Sequence, residues 1–321
     1  MKAIVVAGDG LVWQEVDAPR VGVGEVRIEV AASAINRADL AQRAGAYPPP
    51  PGASSIMGLE CSGVVTETGE GVQRVSVGDE VCALLAGGGY AEQVVVPAGQ
   101  VLKVPRGLSM EQAAAIPEVF ATAYLNLYME ANLQPGELVV LHAGASGVGT
   151  AGIQLCKATH NPVFVTAGNE EKIAQCVGLG ADAGWDRHQG SFRDAVSAWS
   201  QGQGADVILD PVGGSYLADN LASLRLDGRL VIIGLMGGAT SEVNLGLMIM
   251  KRLRVIGSTL RARTISAKAA VMDRLARDVW PKLESGEISA IIEAVVPMQE
   301  AGRAHALVAG NETVGKVILK V

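Results

Sequence analysis

The chain has 321 residues, of which 49% are hydrophobic, and this is enough apolar material for roughly two domains. Its formal net charge of −7, with no basic run to offset it, argues against nonspecific binding to nucleic acid or to acidic membrane surfaces. Aromatic residues make up only 4% and glycines number 40, which favours an α/β protein with tight backbone packing over an aromatic binding cage.

The cysteines and the N-terminus indicate where the protein works. Cys61, Cys82, Cys156 and Cys176 are scattered and include no C-x-x-C pair, which predicts reduced, mostly buried thiols in an intracellular protein. The apolar run at the N-terminus is too short for a signal peptide, and no run approaches the roughly 20 residues of a membrane span. We therefore expect a cytoplasmic protein with no membrane or nucleic-acid partner.

Residues 1–110 are predicted to be rich in β-strands. The segments "VRIEVAAS", "SGVVTETG", "DEVCALL" and "AEQVVVP" follow at short intervals and are separated by glycine and proline, which is typical of a barrel or sandwich. The stretch "YPPPPG" at 47–52 predicts an extended surface loop. From residue 111 the pattern is helical, with a capping box formed by Ser109 and Gln112 and a break at Pro117.

Strands and helices alternate from residue 137 to residue 260. The predicted strands are "ELVVLHA", "PVFVTAG", "ADVILDPVGG", "GRLVIIGLMGG" and "LRVIGSTL", with helical segments between them. This alternation predicts a parallel sheet covered by helices on both faces. Residues 266–284 are predicted to form another helix, and residues 288–321 return to short strands that complete the first domain.

The loop "GASGVG", from Gly144 to Gly149, follows the first of these strands and opens a helix. The dinucleotide fingerprint is G-x-G-x-x-G, so Ser146 replaces the middle glycine. A short glycine pattern also fits an ordinary turn, but the preceding strand, the following helix and the second strand at the expected distance favour a site for the pyrophosphate of a dinucleotide.

The end of the second strand bears on the choice between NAD and NADP. An NAD site usually places an acid there to hold the ribose 2′-OH, and residues 166–169 contain none, although Glu170 follows. Lys172 and Arg187 are cations close enough in sequence to bind a 2′-phosphate, and the alternative for each is a solvated surface charge. The pattern favours NADPH.

The histidines argue against a metal centre. A catalytic zinc needs about three protein ligands, and the only histidines are His142, His160, His188 and His305. We expect none of them in the β-rich first domain, and three of them at helix ends or on the surface. The cysteines form no structural zinc cluster either, so the sequence predicts chemistry without a metal ion.

The whole chain resembles the zinc-free quinone oxidoreductase branch of the medium-chain dehydrogenase/reductase superfamily. It looks particularly close to the tumour-suppressor-inducible quinone oxidoreductase of mammals and its bacterial relatives. The stretches that carry the resemblance are "AASAINRADLAQRAGAYPPPPGAS", "MGLECSGVV", "VGDEVCALLAGGGYAEQVVVP", "AAAIPEVFATAY", "HAGASGVGTAGIQL", "GADVILDPVGGSY", "DGRLVIIGLMGG" and "GSTLRAR".

Departures from the zinc-bearing relatives agree with the absence of a metal. The "GHE" of those relatives appears in this chain as Gly58, Leu59 and Glu60, and "SAINRAD" lacks their ligand cysteine. We expect Glu60 to be a buried or paired structural carboxylate.

The resemblance implies a GroES-like catalytic domain at 1–117 and 262–321 and a Rossmann domain with a doubly wound parallel sheet at 118–261. It implies that Asn36 and Tyr47 line the nicotinamide and quinone cleft. It further implies a cofactor site made by Asn36, Thr122, Ser146, Gly147, Val148, Gly149, Gly168, Asn169, Lys172, Arg187, Val212, Gly234, Leu235, Met236, Ser258, Thr259 and Leu260. For the last seven residues of this set, from Val212 to Leu260, the alternative is simple packing at strand ends.

The implied reaction is NADPH-dependent hydride transfer to a quinone, with Tyr47 donating a hydrogen bond to the developing oxyanion, helped by Asn36. For Tyr47, stacking on the substrate or a purely structural turn are the alternatives. Reduction of an activated C=C bond and an NADPH-binding redox sensor remain the alternative functions. "LRVIGSTL" at 253–260 is the expected edge strand, which predicts a homodimer by strand pairing.

Overall fold

The structure is a computed structural model that describes residues 1–8 and 10–321. Its contacts divide the chain into two compact units, residues 1–121 with 260–321 and residues 122–259. Residues 118–121 and 260–261 were expected in the α/β domain, whereas they belong to the first unit. The predicted boundary was the helix break at Pro117. A new helix, Pro117–Tyr124, starts at this proline, and the division between the units falls inside that helix, after Ala121.

Strands predominate in the first unit, and strands alternate with helices in the second. The strands are β1 Lys2–Ala7, β2 Gly10–Glu15, β3 Glu25–Ala34, β4 Glu60–Thr68, β5 Glu80–Leu84, β6 Gln93–Pro97, β7 Val101–Lys103, β8 Val139–Leu141, β9 Val163–Ala167, β10 Ala183–Asp186, β11 Ala205–Asp210, β12 Leu224–Ile232, β13 Arg254–Gly257, β14 Ile292–Pro297 and β15 Lys316–Lys320. The α-helices are α1 Arg37–Arg43, α2 Met110–Ala114, α3 Pro117–Tyr124, α4 Gly147–Ala158, α5 Glu170–Leu179, α6 Arg193–Trp199, α7 Leu217–Ser223, α8 Leu245–Lys251, α9 Ile265–Asp278, α10 Trp280–Ser285 and α11 Ala301–Ala309. A π-helical turn, Leu125–Glu130, extends α3.

The first unit is built on a seven-stranded sheet in the order β14-β15-β3-β4-β5-β7, with β6 paired to β3. Every pairing in it is antiparallel except that of β14 with β15. Alternate residues of β3, Val26, Ile28 and Val30, are buried in a core that also takes up Val65 and Val81. The predicted β-rich first domain is therefore present, and its last strands return from the C-terminus as expected.

The second unit is a six-stranded sheet in the order β10-β9-β8-β11-β12-β13. All five pairings are parallel. The strand order reverses between β8 and β11, which is the topological switch point where doubly wound sheets bind ligands at the carboxyl ends of their strands. The glycine loop follows β8 and therefore lies at this point.

Several local predictions are confirmed and two are wrong. Ser109 and Gln112 form the predicted capping box, and residues 47–52 form a loop. The single helix predicted over 266–284 is two helices, α9 and α10. Helix α11 was predicted as strand, although buried Ala301, Ala304 and His305 repeat at the helical spacing.

The four cysteines are free and buried, as predicted. Within the described residues, no helix combines the length and the apolar character that a membrane crossing requires.

Candidate active site

The glycine loop leads from β8 into the first turn of α4. Ser146 caps this helix, because its Oγ accepts a hydrogen bond from the N–H of Gly149 at 3.1 Å. The serine in place of the middle glycine therefore stabilises the helix start. The N–H groups of Gly147 and Val148 have no partner within the helix, so the positive end of a 12-residue helix is presented to an anion.

Two glycines of this loop are required by close packing. A Cβ at Gly149 would lie 2.5 Å from the carbonyl oxygen of Ala143, and a Cβ at Gly144 would lie 2.7 Å from Cβ of Val165. Real Cβ atoms do not approach other atoms this closely. The loop is thus a backbone cradle that fits the pyrophosphate of a dinucleotide, and it holds only while these positions lack side chains.

A buried chain of hydrogen bonds lies beneath the loop. The Asp210 carboxylate accepts from Nδ2 of Asn220 at 2.9 Å, so Oδ1 of Asn220 accepts from Nε2 of His142 at 2.7 Å. Nδ1 of His142 is then left to accept from Oγ1 of Thr166 at 3.0 Å. Burial lowers the pKa of His142 to about 4, which keeps the ring neutral. The chain ties the carboxyl ends of β8, β9 and β11 together.

The residues predicted to bind a 2′-phosphate come together at the end of β9. Asn169 caps α5 by accepting the N–H of Lys172 at 2.9 Å. The exposed Arg187 guanidinium lies over the neighbouring glycine, since a Cβ at Gly168 would be 3.6 Å from its Nη2. The nearest carboxylate in sequence, Glu170, accepts a hydrogen bond from Gln189 at 3.3 Å. The arrangement presents a cation at the position where an NAD site places an acid.

Most of the remaining residues predicted in the second unit lie in the loops after β11, β12 and β13, whereas Thr122 lies in α3. The loop after β12 touches the loop after β11, because a Cβ at Gly234 would lie 2.7 Å from the carbonyl oxygen of Pro211. Leu235 and Met236 in the same loop are exposed. Val212 is half-buried, and its N–H donates a hydrogen bond to Asp210. Ser258 is buried and Thr259 is exposed, while Thr122 is half-buried.

Two of the predicted cofactor residues, Leu260 and Asn36, belong to the first unit. The Leu260 side chain is buried, with 6% exposed. Tyr47 also belongs to this unit, and both Asn36 and Tyr47 were expected there.

Asn36 takes part in a buried ionic cluster. Lys316 donates to Ile35 O at 2.7 Å, to Oδ1 of Asn36 at 2.6 Å and to Oε1 of Glu60 at 2.7 Å. Nδ2 of Asn36 donates to the same Oε1 at 2.9 Å, and the N–H of Glu118 donates to Oε2 at 2.8 Å. Glu60 is therefore buried and paired, as predicted. The Asn36 amide is already engaged with protein groups at both ends.

Tyr47 in the proline loop is held by an arginine. The Arg261 guanidinium donates to the carbonyl oxygens of Ala86 at 2.8 Å and Tyr47 at 3.3 Å, and to Oε1 of Gln42 at 2.7 Å. Its Cζ lies 5.3 Å from the centroid of the Tyr47 ring, which is a cation–π distance. Arg261 thus holds the half-buried Tyr47 in two ways, through the backbone carbonyl oxygen and over the face of the ring.

Sequence reasoning missed Lys316, Arg261 and Glu118. Only Glu118 carried a local signal, as a single acid inside the apolar helical run "IPEVFATAY". The predicted location of His305 was also wrong. It lies in the first unit, inside α11, with Nε2 at 3.2 Å from the Tyr90 hydroxyl.

The described residues contain no group of three His, Cys, Asp or Glu side chains that could hold a metal ion. Cys61, next to Glu60, is fully buried, and burial raises the pKa of its thiol far above the usual range. A thiol in this state is a poor metal ligand, because the thiolate is the form that binds.

Two protein-family models match this chain. Residues 22–106 match the family described as "Alcohol dehydrogenase GroES-like domain", and residues 147–277 match the family described as "Zinc-binding dehydrogenase". The fold is thus a GroES-like domain with a Rossmann domain, as predicted.

Individual relatives extend over most of the chain. Quinone oxidoreductase-like protein 2 of Mus musculus is 31% identical over 312 residues, which cover 97% of this chain and 89% of the mouse protein. A lovastatin diketide synthase of Aspergillus terreus is 34% identical over 84% of this chain, which corresponds to 11% of the synthase. The crystal structure of Escherichia coli quinone oxidoreductase with NADPH aligns at a TM-score of 0.88 with 26% identity, covering 100% of this chain and 99% of that one. The chain therefore belongs to the medium-chain dehydrogenase/reductase superfamily of oxidoreductases.

Proposed function

We propose that the protein is an NADPH-dependent reductase of quinones that works without a metal ion. The observation that carries the cofactor choice is the Arg187 guanidinium over Gly168, at a strand end with no carboxylate to repel a 2′-phosphate. Two similar proteins are named quinone oxidoreductases or likened to them, which supports the acceptor class. Within the family we propose that the chain is close to the tumour-suppressor-inducible quinone oxidoreductase.

The second unit supplies the groups that would hold NADPH. The N–H groups at the start of α4 would bind the pyrophosphate, and Arg187, Gly168, Asn169 and Lys172 would take the 2′-phosphate. When bound, the reduced nicotinamide supplies a hydride. The protein's own contribution is to orient the ring and the acceptor and to exclude water. We propose that the loops after β11, β12 and β13, together with Thr122, make the remaining contacts within this unit.

Independence from zinc is part of the proposal. Glu60 carries no free oxygen, since an ammonium group and two N–H groups already bind its carboxylate. The Lys316 ammonium group provides a positive charge in the cluster, so a divalent ion there would have to displace it. A quinone accepts hydride readily and needs no Lewis acid.

Reduction of an activated C=C bond is the second candidate. It needs the same cofactor, and it is supported by the similarity to part of a synthase that builds a polyketide. The two candidate functions differ in the molecule that is reduced, so an assay with different hydride acceptors distinguishes them.

The test is a steady-state and stopped-flow assay of NADPH and NADH oxidation with EDTA present. The acceptors are 1,4-benzoquinone, 9,10-phenanthrenequinone and a crotonyl-type enone. Chelator-insensitive, quinone-dependent oxidation of NADPH supports the proposal. Turnover on the enone alone selects the second candidate, and tight NADPH binding without turnover on any acceptor indicates a redox sensor.

Replacing Arg187 with Ala tests the cofactor choice. We expect the Kd for NADPH to rise about 10- to 100-fold, because a charge-assisted hydrogen bond contributes about 1.5–3 kcal/mol. The Kd for NADH should stay within about twofold, since it lacks the 2′-phosphate. Fluorescence titration measures both constants. Arg193→Ala, an exposed arginine on α6, is the matched control, and an equal loss for both cofactors would contradict the assignment.

We also propose a cytoplasmic homodimer formed along β13. This strand is the edge of the parallel sheet, and its Val255 is exposed. The preceding helix exposes 73% of Ile249 and 77% of Met250, which is an apolar surface continuous in sequence with the free edge. Light scattering should give the mass of a dimer, and Met250→Glu should shift it toward monomer. A monomeric mass for the native protein would overturn the proposal.

A further inference from the structure

The Asp210 carboxylate at the end of β11 is fully buried. Its Oδ1 accepts from the N–H of Val212 at 2.6 Å, and both of its oxygens accept from the N–H of Gly213, at 3.2 and 3.1 Å. Oδ2 also accepts from Nδ2 of Asn220 at 2.9 Å. Among the described residues, no cation acts on the charge of this group. A buried carboxylate without a counter-ion is costly, so its presence at the switch point of the sheet calls for an explanation.

This carboxylate fixes the shape of the loop after β11. Two consecutive N–H groups, those of Val212 and Gly213, converge on it. Gly213 has a φ of 82° and a ψ of −128°, a conformation that residues other than glycine rarely adopt. The loop therefore depends on an acceptor at position 210, because both N–H groups would lose this partner without it.

The loop after β12 is tied to the loop after β11 through the backbone. The N–H of Gly237 donates to Val212 O at 2.7 Å, and the N–H of Gly214 donates to Gly238 O at 2.8 Å. The loop after β12 also exposes apolar side chains, with 59% of Leu235 accessible to solvent. A change in the first loop should therefore move the second loop and the apolar surface that it presents.

Both loops lie on the same side of the glycine loop, within the second unit. The order β9-β8-β11-β12 puts the end of β9 on one side of the loop after β8 and the ends of β11 and β12 on the other side. A dinucleotide with its pyrophosphate on the glycine loop and its 2′-phosphate at the end of β9 has its adenosine half on the β9 side. Its nicotinamide half then extends toward β11, where the loop shaped by Asp210 begins.

We propose that Asp210 is a positioning residue for the nicotinamide half of NADPH, a role that rests on the proposed function. The carboxylate acts through the backbone of the loop after β11 and, through that loop, on the loop after β12. Its charge strengthens the hydrogen bonds that hold the loop, since a charged acceptor binds N–H groups about twice as strongly as a neutral one. The affinity for this half of the cofactor therefore depends on whether Asp210 is ionised.

The ionisation of Asp210 changes close to neutral pH. Burial raises its pKa to about 6, against the effect of the N–H groups that bind it. The ionisable groups around it are Tyr216, on which Asp210 acts, and His142 on β8, which it reaches through Asn220. Burial raises the pKa of Tyr216 and lowers that of His142 to about 4, so both are neutral at pH 7, and the cation Arg187 acts on Tyr216. The hold on the nicotinamide half should therefore weaken as the pH falls through about 6.

The first arm of the test is Asp210→Ala at pH 8, with binding measured by calorimetry. We expect the Kd for NADPH and the Kd for NADH each to rise about 10- to 100-fold, because hydrogen bonds to a charged acceptor are lost. The Kd for adenosine 2′,5′-bisphosphate, which carries the 2′-phosphate but no nicotinamide, should stay within about twofold. Arg187→Ala should give a different pattern, weakening NADPH and the bisphosphate but not NADH.

Asp206→Ala is the matched control for this variant. Asp206 is also a buried aspartate on β11, and its Oδ2 accepts from the N–H of Leu138 at 2.9 Å. It lies near the start of the strand, at the edge of the parallel sheet opposite the glycine loop. Its replacement should leave the Kd values for all three ligands within about twofold of the wild-type values.

The second arm uses Asp210→Asn, which keeps an acceptor oxygen but no charge and so resembles the protonated acid. At pH 8 we expect its Kd for NADP⁺ to be about 3- to 10-fold above the wild-type value. At pH 5 the two constants should agree within about twofold, because wild-type Asp210 is then mostly protonated. Taking their ratio removes the titration of the 2′-phosphate and of Asp39, whose pKa is also about 6.

The outcomes separate this role from the proposed function. An unchanged Kd for NADPH in Asp210→Ala overturns the positioning role, and so does a loss of bisphosphate binding as large as the loss of NADPH binding, which shows damage to the whole unit. A ratio of Kd values that stays constant from pH 5 to pH 8 also overturns it, and this arm does not require the alanine variant to fold. Wild-type protein that binds none of these ligands overturns the proposed function and this role with it.

Discussion

Lys316→Met is expected to lower the free energy of unfolding by about 3–5 kcal/mol. The ion pair with Glu60 is almost fully buried, with 4% of the lysine side chain and none of the glutamate side chain exposed. Methionine fills similar space but leaves the Glu60 carboxylate without a counter-ion in a low-dielectric interior. The two remaining N–H donors, from Asn36 and Glu118, do not balance a full charge. Chemical denaturation followed by circular dichroism measures the loss.

The same strand provides a control. Lys320 on β15 pairs with Glu111 on the surface, where 59% of the lysine side chain and 25% of the glutamate side chain are exposed. Lys320→Met should change stability by no more than about 0.5 kcal/mol, because exposed ion pairs contribute little. The double variant Glu60→Gln/Lys316→Met should regain at least half of the loss, since no buried charge is left. Equal losses at positions 316 and 320 would show that the buried pair has no special role.

The glycine loop and the end of β9, which we propose hold the cofactor, could be located from the sequence because their signals are local. The strand, the glycine loop and the helix start occupy the consecutive residues 139–150, Gly168 directly follows β9, and Arg187 directly follows β10. Periodicity and turn chemistry act over such short distances, so one sequence is enough to recognise them. The same locality explains the correct prediction of β13 as an edge strand.

The ionic cluster could not be predicted in this way. Lys316 is 280 residues from Asn36, and Arg261 is 219 residues from Gln42, so only the folded sheet brings them together. The sequence indicated that Glu60 would be buried or paired, but it did not identify Lys316 as the partner. Helix α11 was missed for a different reason: its apolar face is made of alanines and a histidine, which give a weak hydrophobic signal even at the correct spacing.

The second unit presents N–H groups at the start of α4 and a guanidinium group at the end of β9, and such groups are suited to phosphates. The polar side chains beneath the glycine loop are satisfied within this unit, in the chain from Thr166 through His142 and Asn220 to Asp210. These internal hydrogen bonds hold the strand ends in place without using the N–H groups that we propose for the phosphates.

Gly149→Ala should damage the cofactor cradle more than any other small substitution in the second unit. The added Cβ would lie 2.5 Å from Ala143 O and 2.6 Å from the carbonyl carbon of Gly144, and both are backbone atoms that side-chain rotation does not relieve. The loop must shift, which separates the N–H of Gly149 from Ser146 Oγ and moves the start of α4. We expect the Kd for NADPH to rise at least about tenfold and the free energy of unfolding to fall by about 1–3 kcal/mol.

Gly178→Ala is the matched control for this substitution. Gly178 lies near the end of α5, and a Cβ there would meet no atom within 4 Å. The substitution should raise stability by about 0.5–1 kcal/mol, because alanine loses less conformational entropy than glycine in a helix, and it should leave NADPH binding unchanged. Fluorescence titration and thermal unfolding of the two variants give both quantities. If Gly149→Ala bound NADPH as tightly as Gly178→Ala, the glycine loop would not be the pyrophosphate site, and the cofactor assignment would have to rest on the end of β9 alone.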